Sequence, residues 1–173
     1  ILSGILLFFV AGITSLFAYV TPESGKVYRI HNVKTNKVIG EDCIARRLAS
    51  VDAAGNEDFK QLWLLRESSN GYTIQNAYSG QYLHPCAQQS TQIYPTSAEE
   101  AVMYLTQVSG TQYAIGQTTG AYLHLDNSNN IVRWWDKDNT SSQWQFEEVK
   151  VSEEAISLQQ AAFQEFYAGY QAK

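Results

Sequence analysis

The chain has few of the residue types that carry catalysis, metal binding or nucleic-acid recognition. Its 173 residues include two cysteines, three histidines and twelve Lys or Arg residues against seventeen Asp or Glu residues, a net charge of −5. This balance, without basic runs, argues against nucleic acid and anionic membranes as partners. Two cysteines with no histidine at ligand spacing do not form a zinc site. We therefore expect no metal and no other cofactor.

Motifs for catalysis are missing as well. The sequence has no nucleophile elbow, no His-Glu-x-x-His and no phosphate-binding loop. Its acidic pairs, such as Glu99-Glu100, are adjacent in sequence and point apart on a strand or helix, so none is an evident acid/base pair. The sequence predicts a protein that is not an enzyme.

One long apolar run stands apart from the rest of the chain. Residues 1–18 are almost wholly apolar, and the first charged residue is Glu23. Such a run fits the apolar region of a signal peptide or a membrane anchor, and a core helix is the remaining alternative. Either of the first two interpretations predicts a secreted, periplasmic or cell-surface domain. Residues 19–26, which include Pro22 and Gly25, indicate a linker.

The two cysteines lie at similar places in the chain. Cys43 and Cys86 each follow a short apolar pair, Val38-Ile39 and Tyr82-Leu83. An exported domain would permit one disulfide between them. The alternative is two separate buried thiols, and the sequence leaves both open.

Three stretches of the remaining chain repeat one another. Each begins Tyr-x-Ile, continues through a polar turn into a short apolar pair, and closes with an apolar run. The starts and the ends both recur about forty residues apart, so the units repeat in step. The units begin at Tyr28, Tyr72 and Tyr113. Their closing runs align at Trp63, Met103 and Trp144.

The repeat predicts an all-β architecture over residues 27–149. Short alternating runs broken by turns indicate about four strands in each unit. One such unit cannot bury its apolar face alone, whereas three can close a barrel with a hairpin cap. A propeller normally needs at least four blades, so we expect a β-trefoil with the six repeated positions in its core.

Residues 152–172 have the pattern of an amphipathic α-helix. Ser152 is suited to cap its start, and Glu153 and Glu154 suit the positive end of the helix dipole. One face of this helix is an apolar stripe, which must pack against the trefoil, a second copy of the chain or a further domain that begins here. The same stripe is a candidate surface for a protein partner. The stripe consists of Ile156, Phe163, Phe166, Tyr167 and Tyr170.

The closing motif Gln61-Leu62-Trp63, echoed by Ser142-Gln143-Trp144, resembles the ricin B-type lectin family when it occurs in a threefold array. The resemblance covers about residues 27–149. It implies a carbohydrate-binding domain with one shallow pocket for each unit, in some members accessory to a glycan-degrading protein. In such a pocket an aromatic ring packs on the C–H face of a sugar, while Asp and Asn or Gln pair with its hydroxyls.

Only the third unit carries all of these groups. The first unit has no aromatic residue between Asp42 and Asn56, and the second has Pro85 where the aspartate is expected. Neighbours on a strand face opposite sides, so we expect one of Trp134 and Trp135 to enter the core and the other to be exposed as the sugar platform, with Trp135 preferred; the alternative is that both serve packing. The predicted carbohydrate-binding residues are Asp126, Trp134, Trp135, Asp138, Asn139 and Gln143.

A second hypothesis is a structural or protein-interaction trefoil, inhibitor-like or adaptor-like, that binds no sugar. The second unit has lost the closing motif, since Ala101-Val102-Met103 stands in its place. The poor sugar pockets of the first two units favour the same hypothesis. His84 and His124 occupy equivalent positions, which indicates a structural or turn role rather than metal binding.

Overall fold

The computed structural model describes residues 18–45, 47–84, 101–117 and 120–172. These residues form eleven strands, two 3-10 turns and one helix. The 3-10 turns are Phe59–Gln61 and Thr140–Ser142, and the helix α1 is Glu153–Gln171. The strands are β1 Tyr19–Val20, β2 Val27–Asn32, β3 Val38–Asp42, β4 Arg47–Val51, β5 Trp63–Ser68, β6 Gly71–Asn76, β7 Tyr104–Ser109, β8 Gln112–Gly116, β9 Tyr122–Leu125, β10 Ile131–Trp134 and β11 Gln143–Glu148.

The strands form one antiparallel, barrel-like sheet. Its main path runs β10-β9-β8-β11-β2-β3-β4, and the β5–β6 hairpin joins it through β2. β11 pairs with β2 over five residues, from Trp144 opposite Asn32 to Glu148 opposite Tyr28. The last strand of the domain therefore closes against one of the first, which leaves few exposed strand edges.

One apolar core fills the barrel. Tyr28 and Ile30 alternate into it from β2, and Phe146 from β11 meets the rings of Tyr28 and Tyr113 edge-on at 5.5 and 5.8 Å. Five of the six repeated positions are buried in this core, as expected from the sequence. The exception is Tyr72, which is half-buried against it.

The first and third units hold their closing tryptophans in the same way. The buried indole Nε1–H of Trp63 donates to the carbonyl oxygen of Ile39 at 2.9 Å. That of Trp144 donates to the carbonyl oxygen of Leu123 at 3.0 Å. A buried donor needs a partner, and both units supply it from the same strand position. This contact aligns the two units residue by residue: Ile39 corresponds to Leu123.

Asparagines link neighbouring units across the barrel. Asn32 begins the turn after β2, and its Nδ2 donates to the Ser141 carbonyl oxygen of the third unit at 3.0 Å. Asn76 begins the turn after β6 and donates in the same way to the Lys60 carbonyl oxygen of the first unit at 3.0 Å. The Oδ1 atoms of both asparagines accept from backbone N–H groups of their own turns. Each asparagine side chain thus stabilises its own turn and links that turn to the neighbouring unit of the barrel.

The predicted linker at residues 19–26 begins with a strand of the domain. Tyr19 and Val20 pair with Glu147 and Phe146 of β11. The Tyr19 hydroxyl also donates to Asn36 Oδ1 at 2.6 Å. These contacts make β1 part of the sheet, which composition alone did not reveal because Pro22 and Gly25 dominate the segment.

Helix α1 docks on the trefoil by one part of its apolar stripe. Ile156 joins a small buried cluster that includes Val27 and Leu64. Phe163 is buried and contacts the Tyr78 ring at 5.2 Å. Phe166 and Tyr170 of the same stripe stay 55% and 52% exposed. No helix within the described residues has both the length and the apolar character needed to cross a membrane.

Some sequence expectations fall on residues that the structure does not describe. The apolar residues 1–17, Pro85 and Cys86 lie outside the described ranges. Cys43 is a buried free thiol, and burial raises its pKa to about 12. Because residues 85–100 of the second unit are also outside these ranges, the threefold repetition stays a prediction.

Candidate functional site

The third unit has an open cavity of about 450 Å³ on the outer face of the β9–β10 hairpin. Leu123 and Leu125 of β9 point into the core, so His124 between them faces outward beside its cross-strand partner Val132. Trp134 lies two residues further along β10 and shares that face. The remaining lining residues are Lys34, Asp126, Asn127, Asn139 and Ser141.

His124 and Trp134 form one wall of the cavity, and their stack of aromatic rings continues outward to Trp135, which does not line it. The ring centroids of His124 and Trp134 are 5.0 Å apart, and those of Trp134 and Trp135 are 3.8 Å apart, with interplanar angles of 23° and 26°. The expectation that the two tryptophans face opposite sides of a strand, one of them in the core, is wrong. β10 ends at Trp134 and the chain bends at Trp135, so the second ring folds over the first. Trp134 is half-buried and Trp135 is 53% exposed.

Asp126 organises the loop at the edge of the cavity. Its Oδ1 accepts from the backbone N–H groups of Ser128 at 2.8 Å and Asn130 at 2.7 Å. Its Oδ2 accepts from Asn130 Nδ2 at 3.2 Å. A carboxylate oxygen has two lone pairs, so Oδ2 keeps capacity for a ligand hydroxyl in a fixed orientation.

Asn139 borders the cavity from the 3-10 turn before β11. Its Oδ1 accepts from the Ser141 backbone N–H at 2.9 Å and so caps that turn. The cap fixes the side chain, and its Nδ2 remains a donor for a ligand.

Three of the six predicted site residues, Trp135, Asp138 and Gln143, are not in the cavity lining. Gln143 is buried, and its Nε2 donates to the carbonyl oxygens of Lys137 and Asp138 at 3.2 and 3.1 Å. The Asp138 side chain is exposed and pairs with the Lys137 ammonium. Gln143 therefore stabilises the loop from inside, and Asp138 lies on its exposed surface. Asp126, Trp134 and Asn139 line the cavity.

His124 is a lining residue that the sequence reasoning assigned only a structural role. Its Nδ1 lies 2.8 Å from Ser142 Oγ. Burial lowers the pKa of this histidine, and Lys34 acts in the same direction against the opposing carboxylates of Asp126 and Asp136. The neutral ring is thus favoured, which suits stacking on Trp134. The sequence did contain a signal for this position: residues two apart on a strand share a face, so His124 should lie on the same side as Asp126.

The corresponding place in the first unit is filled differently. Gly40 occupies the position of His124, and Val51 occupies that of Trp134. A Cβ atom on Gly40 would lie 3.1 Å from Val51 Cγ2 and 3.7 Å from Gln61 Cγ. Asp42, the counterpart of Asp126, faces the Arg47 guanidinium at 3.5 Å. Small residues and a glutamine therefore occupy the space that the third unit leaves open.

In the described part of the chain, no group of three or more His, Cys, Asp or Glu side chains is arranged to hold a metal ion. The chemistry of the cavity is instead that of aromatic faces, amides, a carboxylate and an ammonium group.

Comparison with known proteins supports the same architecture. Residues 16–93 match the family model described as ricin-type beta-trefoil lectin domain-like, a match that ends before the third unit. Structures of lectins from this group share the barrel. The chain has the ricin B-like β-trefoil fold. No curated protein sequence matches it.

Three similar structures illustrate the fold. The ricin B-like lectin of Macrolepiota procera, in complex with lactose, has a TM-score of 0.67 and 18% identity, covering 75% of this chain and 100% of that one. The Polyporus squamosus lectin, bound to Neu5Acα2-6Galβ1-4GlcNAc, has a TM-score of 0.63 and 20% identity over 74% of this chain and 50% of that one. A Clostridium perfringens endo-β-galactosidase that releases GlcNAcα1-4Gal has a TM-score of 0.64 and 16% identity, over 72% of this chain and 33% of that one.

Proposed function

We propose that this trefoil binds carbohydrate, with its main site in the third-unit cavity. The observation that carries the proposal is the meeting of Asp126, Trp134 and Asn139, chosen from the sequence for their chemistry, around one open cavity. The fold it shares with lectins supports the same conclusion.

The residues in and beside the cavity can contact a sugar in two ways: polar groups bond to its hydroxyls, and an aromatic ring packs on its C–H face. Trp135 lies outside the cavity lining, stacks on Trp134 and is 53% exposed, so a sugar that extends out of the cavity can pack its C–H face on the open side of this ring. Asp126 Oδ2 accepts a hydroxyl hydrogen, and Asn139 Nδ2 donates to a hydroxyl oxygen. A shallow site of this kind binds weakly alone, and avidity comes from several copies or an attached domain.

Glycan-array screening followed by calorimetric titration tests the proposal. Asp126→Asn keeps an Oδ1 acceptor for the loop but removes the charge, and we expect about a tenfold loss of affinity. Asp42→Asn is the matched control, because it changes the equivalent carboxylate of the first unit and should leave binding unchanged. Trp135→Ala should also weaken binding. Absence of binding to any glycan, or binding untouched by Asp126→Asn and Trp135→Ala, contradicts the proposal.

We propose further that the domain is exported and non-catalytic, and serves a glycan-degrading protein as an accessory. The apolar residues 1–18 motivate export, and the partial match to an endo-β-galactosidase motivates the accessory role. N-terminal sequencing of the protein from its native host tests export. An intact, cytosolic protein would contradict it, and glycan cleavage by the purified domain would contradict a non-catalytic role.

A protein-binding surface on α1 is a second candidate function. Phe166 and Tyr170 remain exposed and border a cavity of about 510 Å³ together with Gly169. Exposed aromatic residues grouped on one helix face are typical of interaction surfaces. Light scattering of the wild type and of a Phe166→Ala, Tyr170→Ala variant tests self-association. A monomer in both cases would exclude a second copy as the partner.

A further inference from the structure

A cation from the first unit reaches the cavity of the third. Lys34 lies on the turn after β2 and lines the cavity beside Ser141. Asn32 fixes this turn, since its Oδ1 accepts from the backbone N–H groups of Lys34 and Thr35 at 3.2 and 3.3 Å. The same asparagine bonds to the Ser141 carbonyl oxygen at 3.0 Å. The lysine is therefore held next to the third unit by the link between the units.

The described carboxylates near the cavity bond within their own loops and form no ion pair with Lys34. Both oxygens of Asp126 accept hydrogen bonds from donors in the loop 126–130. Asp136 accepts from the Asp138 backbone N–H at 2.9 Å, and Asp138 pairs with Lys137. Among the residues that the structure describes, Lys34 has no ion-pair partner within 4.0 Å. Among the described residues that line the cavity, Lys34 thus supplies the cation available to a ligand.

We infer that the third-unit cavity prefers an acidic glycan, one whose bound sugar carries a carboxylate or a sulfate group that pairs with Lys34. The inference rests on the proposed carbohydrate-binding function and names its substrate class. Lys34 and the amide groups of Asn127 and Asn139 offer donors to the anion and its neighbouring oxygens, while Asp126 accepts from a hydroxyl. An ammonium group matches either anion, so carboxylate and sulfate are separated by the experiment.

Titration with matched sugar pairs tests the inference. The pairs are lactose with 6′-sialyllactose, methyl β-glucoside with methyl β-glucuronide, and galactose with galactose 6-sulfate. We expect the acidic member of at least one pair to bind about fivefold more tightly, because charge-assisted hydrogen bonds are stronger than neutral ones. The preference should shrink between about 0.05 and about 0.5 M NaCl, since salt screens exposed charges.

Lys34→Met should weaken binding of the acidic member of a pair more than binding of the neutral member, so that the ratio of the two affinities falls to about one. Lys37→Met is the matched control, because it removes a lysine of the same turn that does not line the cavity. If neutral and acidic sugars bind equally, or if Lys34→Met weakens both equally, the acidic preference is wrong and the carbohydrate site stands. If neither member of any pair binds and the glycan array is empty, the proposed function itself fails.

Discussion

In the first unit Gly40 and Val51 stand where the third unit has His124 and Trp134. Both units keep the same framework, with the closing tryptophan bonded to the carbonyl oxygen of Ile39 or Leu123. The two units differ in the side chains that occupy the outer face of the hairpin. Gln61 packs beside Gly40 in the first unit, whereas the shorter Ser142 leaves room for His124 in the third.

The surroundings of the two units differ as well. The turn after β2 brings Lys34 to the third-unit cavity, and the equivalent turn after β6 brings Tyr78 to the first unit. Lys60 lies 5.1 Å above the Tyr78 ring, and Phe163 of α1 packs on it at 5.2 Å. The helix thus covers the turn that would border a first-unit site. Shared residues maintain the fold, and the residues that differ leave an open cavity on the outer face of the third unit.

The largest expected effect comes from the tryptophans that both units share. Trp63→Ala and Trp144→Ala should each lower the free energy of unfolding by about 3–5 kcal/mol, because each empties a fully buried volume. Urea denaturation followed by circular dichroism measures this. The Trp→Phe variants are the control for loss of the indole hydrogen bond alone and should cost less. A large difference between the two sites would show that the units are not equivalent frameworks.

The inter-unit asparagines should rank next. Asn32→Ala and Asn76→Ala each remove a hydrogen bond to the neighbouring unit, buried for Asn32 and part-buried for Asn76, so we expect a loss of about 1–3 kcal/mol in the free energy of unfolding. Asn32→Ala should also weaken the acidic preference, because Lys34 loses its anchored turn, whereas Asn76→Ala should not. Equal effects of the two variants on glycan binding would contradict that distinction.

A smaller effect tests the exchange of side chains between the units. His124→Gly should open a void and Ser142→Gln should crowd the histidine, while the double variant recreates the Gly–Gln pair of the first unit. We expect the two changes to be non-additive by about 1 kcal/mol in the free energy of unfolding, measured as a double-mutant cycle. The cost of glycine in a strand cancels in the cycle. Simple additivity would mean that the two positions do not compensate each other.

The smallest effect concerns pH. Burial lowers the pKa of His124 in the folded state, so below about pH 6.5 the unfolded chain binds a proton more readily than the folded one. Stability should therefore fall as pH falls through this range, and the fall should be shallower in His124→Gln. Urea titrations of the wild type and of His124→Gln at about pH 8 and about pH 5 measure the difference. Equal slopes would contradict the neutral, buried histidine.

Much of the fold could be read from the residues, since alternation and repetition are local patterns. The core positions Tyr28, Trp63 and Trp144 and the helix at 153–171 followed from such patterns. The strand at Tyr19–Val20 did not, because its pairing with β11 is a contact between the two ends of the domain. The stack of Trp135 on Trp134 was missed because it depends on where β10 ends.

Residue type and spacing alone predicted the repeated framework and the chemistry concentrated in the third unit. Which of those groups meet depends on how the chain folds. The tertiary structure directed Gln143 into the loop, brought His124 out beside Trp134, and added Lys34 from another unit. Closure of the barrel brings Lys34 and Asp126, which are more than ninety positions apart in sequence, to one cavity. A pattern of neighbouring residues does not encode such a long-range contact.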